Sequence, residues 1–266
     1  MSKIERALRK AEEEKRNKAP VARPKRDDEK DVLITAEGLT EPHEMRPRLT
    51  HYSEHFRKIA ARLKACCENI GANDVLFTSA VSGEGKTTNA VNCALSLCQD
   101  FNLSVCLVDC DLRNPRISSH FGSNASLGIT DVLKGQAEIG SVIQPSSVNG
   151  LSIIYSHRTG RLSLPLLNTD RLGKIVHELR ARFDFVIFDS PPILPLADAG
   201  VLSKSISAMV LVIESWRTRR KHIEQIFDQI DRDKVIGFIM NYKAYKMPGP
   251  YNYSHYYDYG AEKTPN

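Results

Sequence analysis

Residues 75–88 read VLFTSAVSGEGKTT, and the fold turns on this stretch. Val75 to Ser79 is an apolar run rich in strand formers. Thr87 begins a segment in which Ala90, Val91, Ala94, Leu95 and Cys98 recur at helical spacing. A strand, a glycine-containing loop and a helix opening on Lys-Thr form the setting of a phosphate-binding P-loop. Gly83 and Gly85 let the backbone turn its N–H groups toward an anion without a Cβ in the way. The helix start adds unpaired N–H groups and the positive end of its dipole. Lys86 is placed to reach the β- and γ-phosphates, and the Thr87 hydroxyl to sit on Mg²⁺. Ser82, Gly83, Glu84, Gly85, Lys86, Thr87 and Thr88 are therefore the expected ATP-binding residues. Ala80 stands where the loop's usual first glycine would be. An ordinary strand-to-helix turn containing Gly-Lys is the plainer alternative, and the flanking strand and helix favour the nucleotide site.

Outward from this loop, strand and helix patterns alternate. Strands are predicted at 104–109 (SVCLVD), 151–155, 185–189 (FVIFD), 209–214 (MVLVIE) and 235–241 (VIGFIMN), and helices at 50–69, 127–134, 170–182 and 219–230. Apolar strands that do not alternate, separated by helices, imply a mostly parallel sheet covered on both faces. The expected class is α/β, a P-loop NTPase-type single domain at 50–245. A charged helix and linker (1–49) precede it, and a flexible tyrosine-rich tail (246–266) comes after it. Ligands in such sheets bind at the carboxyl ends of strands.

Two of those ends carry carboxylates. LVDCDLRNP places Asp109 at a strand end and Asp111 two residues on; FVIFDSPP places Asp189 at another. A buried strand ending in Asp is the Walker B pattern, which holds Mg²⁺ directly or through water. Turn-capping by Asp is the alternative for each alone. With the loop, they assign Asp109 and Asp189 to the metal beside Thr87, and Asp111 to the nucleophile. Lys86, Asp109, Asp111 and Asp189 are the candidate catalytic set, with the division between Asp109 and Asp111 left open.

Composition narrows the class. The net charge of +5, from 37 Lys and Arg against 32 Asp and Glu, is spread along the chain and marks no nucleic-acid partner. The six cysteines lie in apolar patterns without C-x-x-C spacing, which suits reduced buried thiols in a cytoplasmic protein. No apolar run reaches the roughly 18 residues of a membrane span, so membrane association is expected only through a partner. Seven of the nine tyrosines lie beyond residue 241, among them Tyr251, Tyr253, Tyr256, Tyr257 and Tyr259. A polar low-complexity tail explains the Gly and Pro there but not the tyrosines. Phenol hydroxyls on a mobile tail, beside a phosphoryl-transfer site, read as the phosphate acceptors.

These residues resemble the bacterial tyrosine kinases of exopolysaccharide synthesis and export. GEGKTT, LVDCDLRNP, FVIFDSPP with Asp198-Ala199 downstream, MVLVIE and GFIMN match that family's pattern in order, over about residues 50–260. The resemblance implies ATP, Mg²⁺, autophosphorylation of the tail between subunits, and activation by a membrane-embedded chain-length regulator. It implies a cytoplasmic protein recruited to the inner face of the membrane. Two features depart from it. The assembly motif E-x-x-R-x-x-R keeps Glu54 and Arg57 but has Ala60 third, and Arg62 lies on another face. The SHRTGRLSLPLL stretch lacks the family's Asn-Pro. By analogy Asn241 touches adenine, or it is a strand-end turn residue. A partition- or division-site ATPase shares the Walker motifs but carries a lysine where this chain has Val81. A catalytically silent docking protein would not keep the whole polar set.

Overall fold

The computed structural model describes residues 33–37, 51–122, 125–159, 163–167 and 170–242. The charged helix and linker expected at 1–49, apart from 33–37, and the tail at 246–266 lie outside them. Eight strands form one sheet: β1 (Leu33–Glu37), β2 (Asp74–Ser79), β3 (Val105–Asp109), β4 (Gln144–Pro145), β5 (Leu151–Ile154), β6 (Phe185–Asp189), β7 (Ala208–Glu214) and β8 (Val235–Tyr242). Their order is β1-β8-β7-β2-β6-β3-β5-β4, and every pairing is parallel except β4 with β5. The strands expected from the sequence are all present. The sheet also reaches back before residue 50, because Leu33–Glu37 pairs with β8 along the edge. The two-residue β4 is too short to stand out in a sequence, and the five-residue β1 lies within the stretch read as charged helix and linker.

The helices are α1 (His51–Asn69), α2 (Lys86–Phe101), α3 (Ile117–Phe121), α4 (Ile129–Lys134), α5 (Ile139–Val142), α6 (Ser163–Leu167), α7 (Asp170–Arg182), α8 (Asp198–Ser205) and α9 (Arg220–Phe227). The period-two geometry of the strands divides their side chains between two cores. Val75, Phe77, Val105, Leu107, Phe185, Ile187 and Val210 face α1 and α2, against Phe56, Ile59, Leu63, Val91 and Leu97. Leu76, Cys106, Val108, Val186, Phe188 and Leu211 face the other way, against Leu133, Leu172, Ile175, Leu179 and Leu202. Both faces are covered, which is why these strands read as unbroken apolar runs.

The pairing of β3 with β6 sets Asp109 opposite Asp189. Ser190, Ile193 and Leu194 donate backbone N–H bonds to Phe77, Ser79 and Ala80, so the chain leaving β6 is stitched to the chain leaving β2. The sheet register alone thus gathers the P-loop and both strand-end aspartates at one edge.

Candidate functional site

Gly83 and Gly85 have φ of 87° and 91°, the left-handed region that glycine alone enters without a steric cost. A Cβ on Gly85 would lie 2.3 Å from Asn241 Nδ2, so this residue must be glycine on grounds of space as well. Gly85 caps α2, and Lys86 and Thr87 begin it, both buried.

Lys86 is the centre of the site. Its Nζ donates to Asp111 Oδ2 at 3.0 Å and to Thr87 Oγ1 at 3.2 Å, and lies 3.7 Å from Asp189 Oδ1. Burial pulls its pKa down, but Asp189 and Asp111 outweigh this and hold it above the usual lysine value. The Thr87 hydroxyl donates to Asp189 Oδ2 at 2.6 Å. Asp189 Oδ1, fully buried, has no hydrogen-bond partner among the described residues. Burial raises the Asp189 pKa, and Lys86 and the Thr87 bond draw it back only in part. A buried carboxylate with an open oxygen beside a threonine hydroxyl fits a small hard cation. Among the described residues no group of three His, Cys, Asp or Glu is arranged to hold an ion unaided. The remaining ligands would have to be phosphate oxygens and water, as usual for Mg²⁺ in nucleotide sites.

Asp109 and Asp111 are oriented differently. Asp109 accepts backbone N–H bonds from Asp111 at 3.1 Å and from Arg116 and Ile117 at 3.0 Å each. Both of its oxygens are thus turned into its own loop. Burial and then Asp189 push its pKa up to about 7. Asp111 instead faces Lys86, while its Oδ1 accepts the Asn114 N–H at 3.0 Å. Around them, Cys110 N–H donates to the Asp189 carbonyl at 2.7 Å and Thr159 N–H to the Leu112 carbonyl at 2.8 Å. Arg113 grips the fully buried Asp198 with two bonds, at 2.9 and 3.1 Å. The Asp111 loop is therefore pinned on three sides.

Arg217 and Thr218 gave no sequence signal, and Glu84 and Asn241, singled out in the sequence, make contacts that it did not specify. Glu84 is buried with its carboxylate turned away from the loop's mouth, accepting the Val81 N–H at 3.0 Å and the Thr218 hydroxyl. Arg217 Nη2 donates to the Ser82 carbonyl at 3.0 Å, and its Nη1 to Glu214 at 2.9 Å. Asn241 sits beneath the loop, its Nδ2 donating to the Glu84 carbonyl at 3.1 Å and its buried Oδ1 without a partner. Only the folded register brings 214–218 and 241 to the loop. The strand end at Glu214 was legible in the sequence, but the role of residues 215–218 was not. The assembly motif fares differently: Arg57 is held by Glu54 and by Asp100, each at 3.0 Å, and Ala60 is fully buried. Ser82 and Gly83 lie exposed at the loop's apex, and Thr88 is partly buried in the first turn of α2. The acceptor tyrosines 251, 253, 256, 257 and 259 lie outside the described residues.

A family described as "AAA domain" matches residues 75–234. Tyrosine-protein kinase YwqD of Bacillus subtilis is 31% identical over 218 residues, covering 81% of this chain and 89% of that protein. The kinase domain of Escherichia coli tyrosine kinase ETK has a similar fold, with a TM-score of 0.71 at 22% identity, covering 88% of this chain and 89% of that one. The septum site-determining protein MinD of Pyrococcus horikoshii, complexed with Mg-ADP, has a TM-score of 0.54 at 22% identity, covering 64% and 70%.

Proposed function

The chain belongs to the AAA-domain family and, within it, to the bacterial tyrosine-protein kinases; from that premise we propose that it transfers the γ-phosphoryl group of ATP to tyrosines of its own C-terminal tail. The observation that carries this is one buried lysine, Lys86, bridging Asp111 and Asp189 at the mouth of a glycine loop. Thr87 and Asp189 are the residues that would hold Mg²⁺, which when bound neutralises charge on the β- and γ-phosphates. Asp109, expected from the sequence to share the metal, instead braces the loop that presents Asp111.

In the proposed reaction Lys86 leaves Asp111 for the phosphates. Asp111 is then free to accept the phenol proton, its position kept by the Asn114 N–H. The phenolic oxygen bonds to the γ-phosphorus, the bond from that phosphorus to the β–γ bridging oxygen breaks, and ADP departs. The transition state is loose, so placement and charge neutralisation carry most of the catalysis. The acceptors are Tyr251, Tyr253, Tyr256, Tyr257 and Tyr259, reached from another copy of the chain. The setting is exopolysaccharide synthesis or export at the inner face of the membrane, under a membrane-embedded regulator. No helix among the described residues is long and apolar enough to cross a membrane. Arg57 is half-exposed and paired within the chain, and Ala60 is buried, so self-association through this helix would do without the third arginine of the assembly motif.

The competing reading is a partition- or division-site ATPase. Val81, where those proteins place their lysine, counts against it. ATP hydrolysis and phosphotyrosine, followed together in the full chain with its activator, separate the two. Phosphotyrosine that disappears in Lys86→Met supports the kinase; steady hydrolysis with no phosphotyrosine supports the ATPase.

A further inference from the structure

The segment leaving β7 reads SWRTRRKH (215–222) and has two sides. Its inner side belongs to the nucleotide loop: Arg217 donates to the Ser82 carbonyl and Thr218 to Glu84. Its outer side is unclaimed. Arg219 and Lys221 are exposed, with no ion-pair partner among the described residues. Among the described residues Arg220 meets only Glu224, at 3.1 Å in open solvent, a pairing of little weight. Trp216 is 91% exposed and held at a φ of 67°, in the left-handed region. Its neighbours impose this, because Ser215 is tied to the Asn241 carbonyl and Arg217 to Ser82 and Glu214. The result is an indole presented to water beside unpartnered cations.

The position of this strap names its occupant. β8 lies alongside β7 with Asn241 opposite Glu214, and the Ser215 N–H donates to the Asn241 carbonyl at 2.9 Å. The chain beyond Tyr242 therefore starts within one hydrogen bond of the strap. From there nine residues lead to Tyr251, a reach of up to about 30 Å when extended. A ligand on so short a tether is present at an effective concentration near the millimolar range. Unmodified, residues 246–266 carry two lysines against one Asp and one Glu, and offer the strap no net charge to hold. Each phosphate adds about −1.5 to −2 and three strong acceptor oxygens.

We propose that Trp216, Arg219, Arg220 and Lys221 form the docking site for this chain's own C-terminal segment once its tyrosines carry phosphate. The guanidinium and ammonium groups take the phosphates, and the indole lies against a tyrosine ring. The inference rests on the tail being the phosphate acceptor, but its test does not need the chain to phosphorylate anything. Trp216 is the only tryptophan in the sequence, so its fluorescence reports the site directly. The full chain with Tyr251, Tyr253, Tyr256, Tyr257 and Tyr259 changed to Phe is titrated with a synthetic peptide of residues 248–262 carrying phosphate on all five tyrosines, and calorimetry runs in parallel. Saturable binding is expected, with a change in Trp216 emission. It should weaken roughly tenfold or more in Arg219→Ala/Arg220→Ala/Lys221→Ala and be lost with the unphosphorylated peptide. A circular-dichroism melt unchanged in the triple variant shows that folding is intact, and Arg219→Gln alone serves if it is not. Equal affinity for both peptides, or a triple variant within twofold of the parent, overturns the proposal. Failure of the autokinase reading itself appears elsewhere, as an unlabelled tail in the wild-type chain.

Discussion

At the amino edge of the sheet, Asp74 opens β2 fully buried, with its Oδ2 accepting the Ser207 N–H at 2.8 Å and its Oδ1 3.3 Å from Arg180 Nε. Nearby, Ser104 gives Asp184 both its N–H and its hydroxyl at 2.8 Å, which holds that carboxyl below the usual range. At the carboxyl edge, Asp189 closes β6 equally buried, but three aspartates there crowd one lysine, and burial drives two of them, Asp109 and Asp189, upward. The two edges have the same residue type in the same sheet. The amino edge gives each carboxylate its own partners, Arg180 and the Ser207 N–H for Asp74 and Ser104 for Asp184, although Asp74 Oδ1 itself accepts no hydrogen bond among the described residues. The carboxyl edge leaves its carboxylates short of positive charge, an arrangement that a phosphate-bound cation would complete.

Substitutions should therefore act differently at the two edges. Asp111→Asn should lower the rate of phosphotyrosine formation by roughly 10²–10⁴-fold while nucleotide affinity stays near wild type; single-turnover assays and nucleotide titration check this. Asp74→Ala should leave that rate alone and reduce the unfolding free energy by about 1–3 kcal/mol, read by urea denaturation. Asp189→Asn should do the reverse. It removes activity yet raises the stability of the nucleotide-free protein, because burial makes the fold resist ionising this carboxyl. A loss of stability there would erase the contrast between the edges.

The pH dependence comes from Asp109. Its folded pKa, about 7, lies above its unfolded value, so its contribution to stability is fully present below about pH 4 and is lost as pH rises through 7. The unfolding free energy of metal-free wild type should fall over that window, and Asp109→Asn should flatten the slope. The smallest effect concerns the thiols. Burial raises Cys67 to about 12 and Cys98 to about 11, and Cys66 alone is partly exposed. Iodoacetamide at pH 8 should modify only Cys66 in the native chain and all six cysteines in urea.

The central sheet was legible because its strands are covered on both faces and leave unbroken apolar runs. The P-loop was legible because its glycines and lysine are adjacent in sequence. Asp109 and Asp189 were placed by strand ends, but their orientations were not. Whether a carboxylate faces its own loop or the lysine depends on backbone N–H directions that no spacing encodes. Arg217 and Thr218 were hidden, and the contacts of Glu84 and Asn241 unspecified, for a related reason: they meet only through the β7–β8 register, which joins the loop to residues more than 130 positions away. Leu33–Glu37 joins the sheet as an edge strand, where pairing needs little apolar character on the strand itself.

Mass-spectrometric mapping of phosphate on the full chain, incubated with ATP, Mg²⁺ and its activator, tests the central claim most directly. Phosphate should appear on tyrosines between 251 and 259, vanish in Lys86→Met, and fall to a small residue when 251–259 are removed. ATP consumed by the Lys86 site with those tyrosines unmodified would contradict the account.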